Sequence, residues 1–259
     1  MAGHAPFFFV DPSLLDARGG TGGGTAELVL SGDDARHLAV VRRAAVGDVI
    51  SVSDGRGRVA HARLTALTPR SVRAELEEIR RVAAPSPPVV LCMGLARTVR
   101  VDEALRHLVE LGVDKVVIFE AGRSVARWDE QRRRAAVARW AAIARAAAKQ
   151  SHRAWLPEVL GPLGAAEAAV RAGGGGRGVI AVPGAEARLD DALAAPPGAP
   201  VWAPVWAVVG PEGGLAPDEV AAFTAAGATP IGLGDQILRA ETASVVVATL
   251  VLHHVGRLA

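Results

Sequence analysis

Three prolines in four residues, Pro85-Ser86-Pro87-Pro88, divide the chain. Proline fixes φ and lacks a backbone N–H, so such a run continues neither a strand nor a helix and forms a short stiff spacer. The residue pattern changes across it. Upstream, Val49-Ile50-Ser51-Val52-Ser53 leads into the turn signal Asp54-Gly55 and then into Val59-Ala60-His61-Ala62-Arg63-Leu64. From Ser71 to Glu77 apolar and polar residues alternate, as in a half-buried strand. A short helix is expected over residues 33–43, capped by Ser31 or Asp33, and Gly19–Gly24 reads as a flexible loop. Residues 1–84 are thus expected to form a small β-barrel-like domain, with 85–88 as the linker.

Downstream the rhythm alternates. Residues 89–95 read as a buried strand, and 101–111 as an amphipathic helix ending at Gly112. A strand over 115–120 and a long Ala/Arg-rich helix over 129–150 follow. Beyond Gly173–Gly176, strands are expected over 179–182 and 205–209, and helices over 185–193, 217–226 and 241–252. Alternation of this kind predicts an α/β domain over 89–259, with a parallel sheet covered by helices. Ligands of such sheets bind at the carboxyl ends of the strands, which directs attention to the loops there.

Composition narrows the class. Of 259 residues, 50% are apolar and 22% charged, the balance of a globular protein. No apolar run is long enough to span a bilayer, and the start, with Phe7-Phe8-Phe9-Val10 but no basic region, does not read as a signal peptide. The single cysteine, Cys92, excludes an internal disulfide or a multi-cysteine metal site, and the expectation is a cytoplasmic protein without metal or membrane. The net charge of +2 does not announce a nucleic-acid binder. Its distribution is more informative: residues 97–153 hold 13 Lys/Arg against 7 Asp/Glu, and residues 154–259 hold 5 against 10. A basic middle fits local phosphate contact, although a solvated helix face has the same composition.

The strand at 205–209 runs into Gly210-Pro211-Glu212-Gly213-Gly214. Glycines there let backbone approach a ligand closely. The loop has neither the lysine of a phosphate-binding loop nor a dinucleotide fingerprint, and Glu212 at its centre suits a neutral or cationic ligand. A plain strand-to-helix turn fits the loop equally well. A second group, Gly232-Leu233-Gly234-Asp235-Gln236-Ile237-Leu238-Arg239-Ala240-Glu241-Thr242, sets apolar residues beside glycines, as an adenine slot requires. The alternative is that Thr242 only caps the last helix and Arg239 only pairs with Glu241.

These two groups, in this order, resemble the SPOUT class of RNA methyltransferases. Within that class the chain is most similar to the bacterial family that methylates N3 of one uridine in 16S ribosomal RNA. The likeness extends over most of the chain. His37-Leu38-x-x-Val41-x-Arg43 with Gly47-Asp48 and Asp54-Gly55 resembles that family's PUA-like domain. Glu110-Leu111-Gly112-Val113, Arg123-Ser124-Val125 and Gln150-Ser151-x-Arg153 follow in family order. The chain departs from the pattern at His107 and Lys149, and has Arg97 and Arg100 where lysines are usual.

The resemblance implies a C-terminal trefoil knot, although chains rarely knot, and S-adenosylmethionine (SAM) as cofactor. It also implies a homodimer and a substrate in the small ribosomal subunit. It assigns cofactor contacts to Val182, Pro183 and Gly184, to Val209, Gly210, Pro211, Glu212, Gly213 and Gly214, and to Gly232, Leu233, Gly234, Ile237, Leu238, Arg239 and Thr242. Arg239 is the candidate for stabilising charge on the base, with Glu241 and Thr242 as candidates for orienting it or relaying its proton. RNA contacts are expected from Arg36, His37 and Arg43, joined by Arg42, and from Arg123, Arg134, Arg145, Lys149 and Arg153. Helical spacing sets Arg134, Arg145, Lys149 and His152 on one face, with Trp140, Ile143 and Ala147 turned inward. His253-His254 are expected at the surface. Alternatives are a SPOUT enzyme acting on transfer RNA or on a ribose 2′-hydroxyl, and a non-catalytic RNA-binding protein.

Overall fold

A computed structural model describes residues 5–16, 27–95, 98–123, 128–195, 198, 200 and 202–259. Gly19–Gly24, Arg97, Ser124 and Val125 lie outside the described residues. The chain divides into two compact units, residues 1–84 with 149–156, and residues 85–148 with 157–259.

The first unit is a five-stranded sheet of β1 (Phe7–Phe9), β2 (Glu27–Ser31), β3 (Val49–Ser53), β4 (Arg58–Leu67) and β5 (Ser71–Arg81), in the order β1-β3-β4-β5-β2. Period-two burial explains the register. Ala60, Ala62 and Leu64 of β4 lie on the same side as Val72, Ala74 and Leu76 of β5, and close one core with Phe8, Leu28, Leu30, Ile50 and Val52. Two register shifts between β4 and β5 bend the sheet about that core. At the β3–β4 turn Asp54 Oδ1 accepts from Arg56 N at 2.6 Å and Arg58 N at 3.0 Å, and Gly55 takes φ 70°. The helix expected over 33–43 begins as α1 (Gly32–Arg36), continues as one π-helical turn over His37–Val41, and stops before Arg43, which has φ 51°. Ser31 occupies the cap position but makes no side-chain cap bond.

Residues 149–156 complete this unit, which linear composition does not signal. Gly57 N donates to Ala154 O and Leu156 N to Gly55 O, each at 3.0 Å. Trp155 Nε1 donates to Val82 O and Ala83 O.

The second unit carries a six-stranded, wholly parallel sheet. In chain order its elements are β6 (Val89–Gly94), α2 (Thr98–Leu111), β7 (Lys115–Glu120), α3 (Glu130–Gln150), β8 (Glu158–Gly164), α4 (Ala165–Gly173), β9 (Arg177–Ala181), α5 (Leu189–Ala192), β10 (Val205–Val209), α6 (Pro217–Ala225), β11 (Ala228–Ile231) and α7 (Ala240–His254). The strand order is β11-β9-β10-β6-β7-β8. Helices α4 and α6 pack together on one face, where Val90, Cys92, Val117, Phe119, Trp206, Val208 and Phe223 form the core. Helix α7 packs on β6 and β10 and against α2, burying Val247, Ala248, Val251 and Leu252. Burying each of the two valines and the leucine is worth roughly 1.5–3 kcal/mol. Cys92 belongs to this core, and burial pushes its thiol far above the usual range. Arg257 ties the end of the chain back, bonding the Asp114 carboxylate and donating to Gly112 O at 2.7 Å.

The expected helix over 185–193 is reduced to α5. Ala185 N turns back to Val182 O at 3.2 Å, and the Ala185 carbonyl abuts Gly232, so these residues are held as a loop.

Candidate active site

Chain from β6 runs to α2, packed with α7, whereas chain from β10 runs to α6, packed with α4. The segments after two neighbouring strands therefore leave for opposite faces, which opens a crevice at their carboxyl ends. The loops after β9 and β11 lie along the same edge. Val182 N donates to Ile231 O at 2.9 Å, tying these two strand ends together.

Backbone meets backbone at this edge, and glycine is what permits it. A Cβ on Gly232 would lie 2.5 Å from Ala185 O, and one on Gly94 would lie 2.4 Å from Pro211 Cδ. Gly184, Gly214 and Gly234, one in each of the three loops, have φ of 79°, 72° and 104°. Val209 and Pro211 are buried, Val182, Gly210, Gly214, Gly232, Leu233 and Leu238 are half-buried, and Pro183, Gly184, Glu212, Gly213 and Gly234 are exposed. Ile237, expected to wall an adenine slot, stands 92% exposed.

The charged groups sort themselves in a way that spacing along the chain did not signal. Arg100, on the first turns of α2, places Nη1 3.1 Å from Glu212 Oε1 and Nε 3.7 Å from Glu241 Oε1. It therefore bridges the glycine-rich loop and the start of α7. Two carboxylates thus share one guanidinium at this corner. The second oxygen of Glu241 is buried without a partner among the described residues.

Arg239 is the N-cap of α7 in extended conformation, with φ −66° and ψ 152°; it is exposed and makes no side-chain cap bond. Among the described residues it has no ion pair within 4.0 Å, so the pairing of Arg239 with Glu241 weighed above does not form. Thr242 lies inside the first turn, exposed, and is not the cap residue.

Sequence reasoning passed over Glu219. This carboxylate, 7% exposed, accepts from Ala216 N through Oε2 and from Gly122 N through Oε1, both at 2.7 Å. The usual signature of a capping box pairs a Ser or Thr with such a glutamate, and Ala216 hides it.

The residues expected to hold RNA differ in exposure and in the contacts they make. Arg36, His37 and Arg43 are exposed on the first unit, and Arg123 and Arg145 on the second. Arg134 is exposed but pairs with Glu130 at 3.0 Å one helical turn away. Arg153 is half-buried in the first unit. Lys149 does not continue the exposed stripe: it pairs with Asp34 at 2.5 Å and sets its ammonium 4.0 Å above the Phe8 ring. His152 is off the helix altogether, with φ 56°, stacked on Phe7 at 5.2 Å. Trp140 and Ala147 face inward as expected. Among the described residues no group of three or more His, Cys, Asp or Glu could hold a metal, and no helix is long and apolar enough to cross a membrane.

Comparison with known proteins agrees with this architecture. The RNA methyltransferase domain family matches residues 84–252, and the RNA methyltransferase PUA domain family matches residues 30–77. The ribosomal RNA small subunit methyltransferase E of Mycobacterium tuberculosis is 36% identical over 227 residues, covering 85% of this chain and 84% of that protein. The protein of the same name from Bacillus subtilis is 27% identical over 217 residues, covering 83% and 85%. The crystal structure of the Neisseria gonorrhoeae ribosomal RNA small subunit methyltransferase E bound to S-adenosyl methionine superposes with a TM-score of 0.80. It is 27% identical and covers 96% of this chain and 98% of that one. The fold is thus of SPOUT methyltransferase type with an N-terminal PUA domain, and the chain belongs to the RNA methyltransferase family that includes the small subunit methyltransferase E proteins.

Proposed function

We propose that this protein transfers a methyl group from SAM to N3 of a uridine in 16S ribosomal RNA of the small subunit. The observation that carries the reading is the corner at the carboxyl ends of β6, β9, β10 and β11. There, close-packed glycine loops meet an acidic pair, Glu212 and Glu241, held by one Arg100. The acidic pair suits SAM, which carries a sulfonium and an ammonium beside its one carboxylate. The orphaned Glu241 oxygen supplies a further acceptor. The residues present therefore fit SAM. Relatives named for methylation of small-subunit ribosomal RNA, one of them bound to SAM, support the same reading.

SAM supplies an electrophilic methyl group when bound; the chain must do the rest. Uracil N3 carries an imide proton and attacks poorly until that proton leaves. Arg239, exposed and unpaired among the described residues, offers its fork of donors to the uracil oxygens, on which negative charge then collects. A carboxylate is a weak base for an imide proton. We assign Glu241 and Thr242 to orienting the base, with the proton passing to solvent. Val182–Gly184, Val209–Gly214 and Gly232–Leu238 hold the cofactor, while Arg36, His37, Arg43, Arg123, Arg134, Arg145 and Arg153 meet RNA phosphates, which fixes register without reading sequence. The trefoil knot, the homodimer and a cytoplasmic location belong to the same reading.

The test is mass spectrometry of 16S ribosomal RNA from cells with and without the gene, together with transfer of labelled methyl from SAM to purified small subunits. One uridine lacking a methyl at N3 in the deletion strain is expected. An unchanged modification pattern overturns the assignment, and a missing methyl on a ribose or a transfer RNA redirects it.

A further inference from the structure

Both oxygens of the buried Glu219 carboxylate are taken, and by different segments. Oε2 accepts from Ala216 N, closing the first turn of α6 in place of a side-chain cap. Oε1 reaches out of the helix to Gly122 N in the turn after β7. A buried carboxylate with two N–H donors is satisfied, and its loss would orphan both donors. The second bond is not needed to form α6. Its effect falls on the residue next to Gly122. A Cβ on Gly213 would lie 3.0 Å from Arg123 O and 3.3 Å from Arg123 Cβ, so the Arg123 side chain starts directly against the glycine-rich loop. Arg123 is exposed and, among the described residues, within 4.0 Å of no carboxylate. Arg100, which also reaches that loop, is occupied by Glu212 and Glu241.

We infer that Glu219 is a positioning residue that fixes Arg123 beside the Gly210–Gly214 loop, where the Arg123 guanidinium grips an RNA phosphate flanking the nucleotide to be methylated. The inference rests on the reading of this edge as the site of RNA methyl transfer. A guanidinium fork matches a phosphate in two parallel bonds, and its worth depends on where the stem is anchored. Anchoring through Gly122 makes the first turn of α6 and the placement of Arg123 one rigid piece.

The experiment is a double-mutant cycle on the full-length protein, with steady-state methylation of small ribosomal subunits and SAM affinity by calorimetry. Arg123→Ala is expected to raise the KM for the subunit by about tenfold, the effect of losing one charge-assisted contact, with SAM affinity and kcat little changed. Glu219→Gln keeps volume and one acceptor but turns an NH2 toward the other donor, and it should raise the same KM comparably. The double variant should be no worse than the poorer single one, because both remove one contact. Arg123→Lys should recover part of the loss. Additive losses, or a wild-type KM in Glu219→Gln, overturn the inference. So does a wild-type KM in Arg123→Ala, which decides the matter even if Glu219→Gln does not fold. Absence of SAM binding or methyl transfer in the wild type instead overturns the functional reading itself, and this inference with it.

Discussion

The carboxylate of Glu241 lies 3.7 Å from the guanidinium of Arg100 and does not pair with Arg239, its neighbour two positions earlier. The same Arg100 lies 3.1 Å from Glu212, so one cation settles two acids that would otherwise compete for Arg239. These pairs are partly exposed, with side chains 19–41% accessible, and each is worth about 0–1 kcal/mol to folding. Their weight is in arrangement rather than stability: Arg239 keeps its donors for a substrate.

Arg239→Ala is therefore expected to fold and to bind SAM like the wild type, yet to lose about 10²-fold in methyl transfer, the usual cost of one donor aimed at developing negative charge. Single-turnover transfer to small subunits, with calorimetry for SAM, checks this. Wild-type turnover would remove Arg239 from the mechanism.

Gly232 tests the close approach of the loops after β9 and β11. A methyl group there would meet the Ala185 carbonyl at 2.5 Å, and that carbonyl belongs to backbone tied through Val182 to β11. Gly232→Ala should cost about 1–3 kcal/mol by overpacking and weaken SAM binding as well. Gly164→Ala, at a cap where a Cβ meets nothing within 4 Å, should cost no more than about 1 kcal/mol. Urea denaturation of both variants measures the contrast. Equal midpoints would show that the two loops separate easily.

Cys92 gives a pH dependence with a definite sign. Buried in the sheet core, its thiol stays protonated in the folded state well beyond the range in which the unfolded chain ionises, near pH 9. Below that range both states hold the proton and nothing is lost. Above it the unfolded state alone releases the proton, so stability falls by about 1.4 kcal/mol per pH unit. The chain contains no tyrosine to titrate over the same range. The difference in unfolding free energy between wild type and Cys92→Ala, followed from pH 8 to 10.5, should narrow with that slope. A constant difference would mean that the thiol ionises in place.

Much of the second unit was legible because its central strands are continuous apolar runs. Val205–Val209 and Lys115–Glu120 appear where the pattern set them. The edges were not. Strand β8 contains Gly161, Pro162 and Gly164, and β11 contains Pro230; proline is tolerated only where a strand has no neighbour to bond on that side. No periodicity marks such strands. In the site, the two glycine loops were visible as motifs, whereas the partners of Arg100 and Glu219 were not. Those pairs join residues about a hundred positions apart, Arg100 to Glu212 and Gly122 to Glu219, and only the strand order brings them together.

Lys149 shows what helical spacing alone misreads. It falls in register with Arg134 and Arg145 on α3, yet it pairs with Asp34 and sits over Phe8, within the first unit. Its charge is therefore engaged with Asp34 of α1 and the Phe8 ring of β1, which holds residues 149–156 in that unit. Lys149→Met keeps the aliphatic stem and removes the ammonium, and it should lower stability by about 1–2 kcal/mol through the lost ion pair and cation–π contact. The salt dependence of RNA binding should not change. Arg36→Ala, on an exposed side chain of the first unit, should instead reduce the slope of log K against log salt by about 0.7–0.9 with little effect on stability. Filter binding of a 16S ribosomal RNA fragment over a salt series, with thermal unfolding in parallel, separates the two behaviours. A reduced slope in Lys149→Met would return that lysine to the RNA-binding surface.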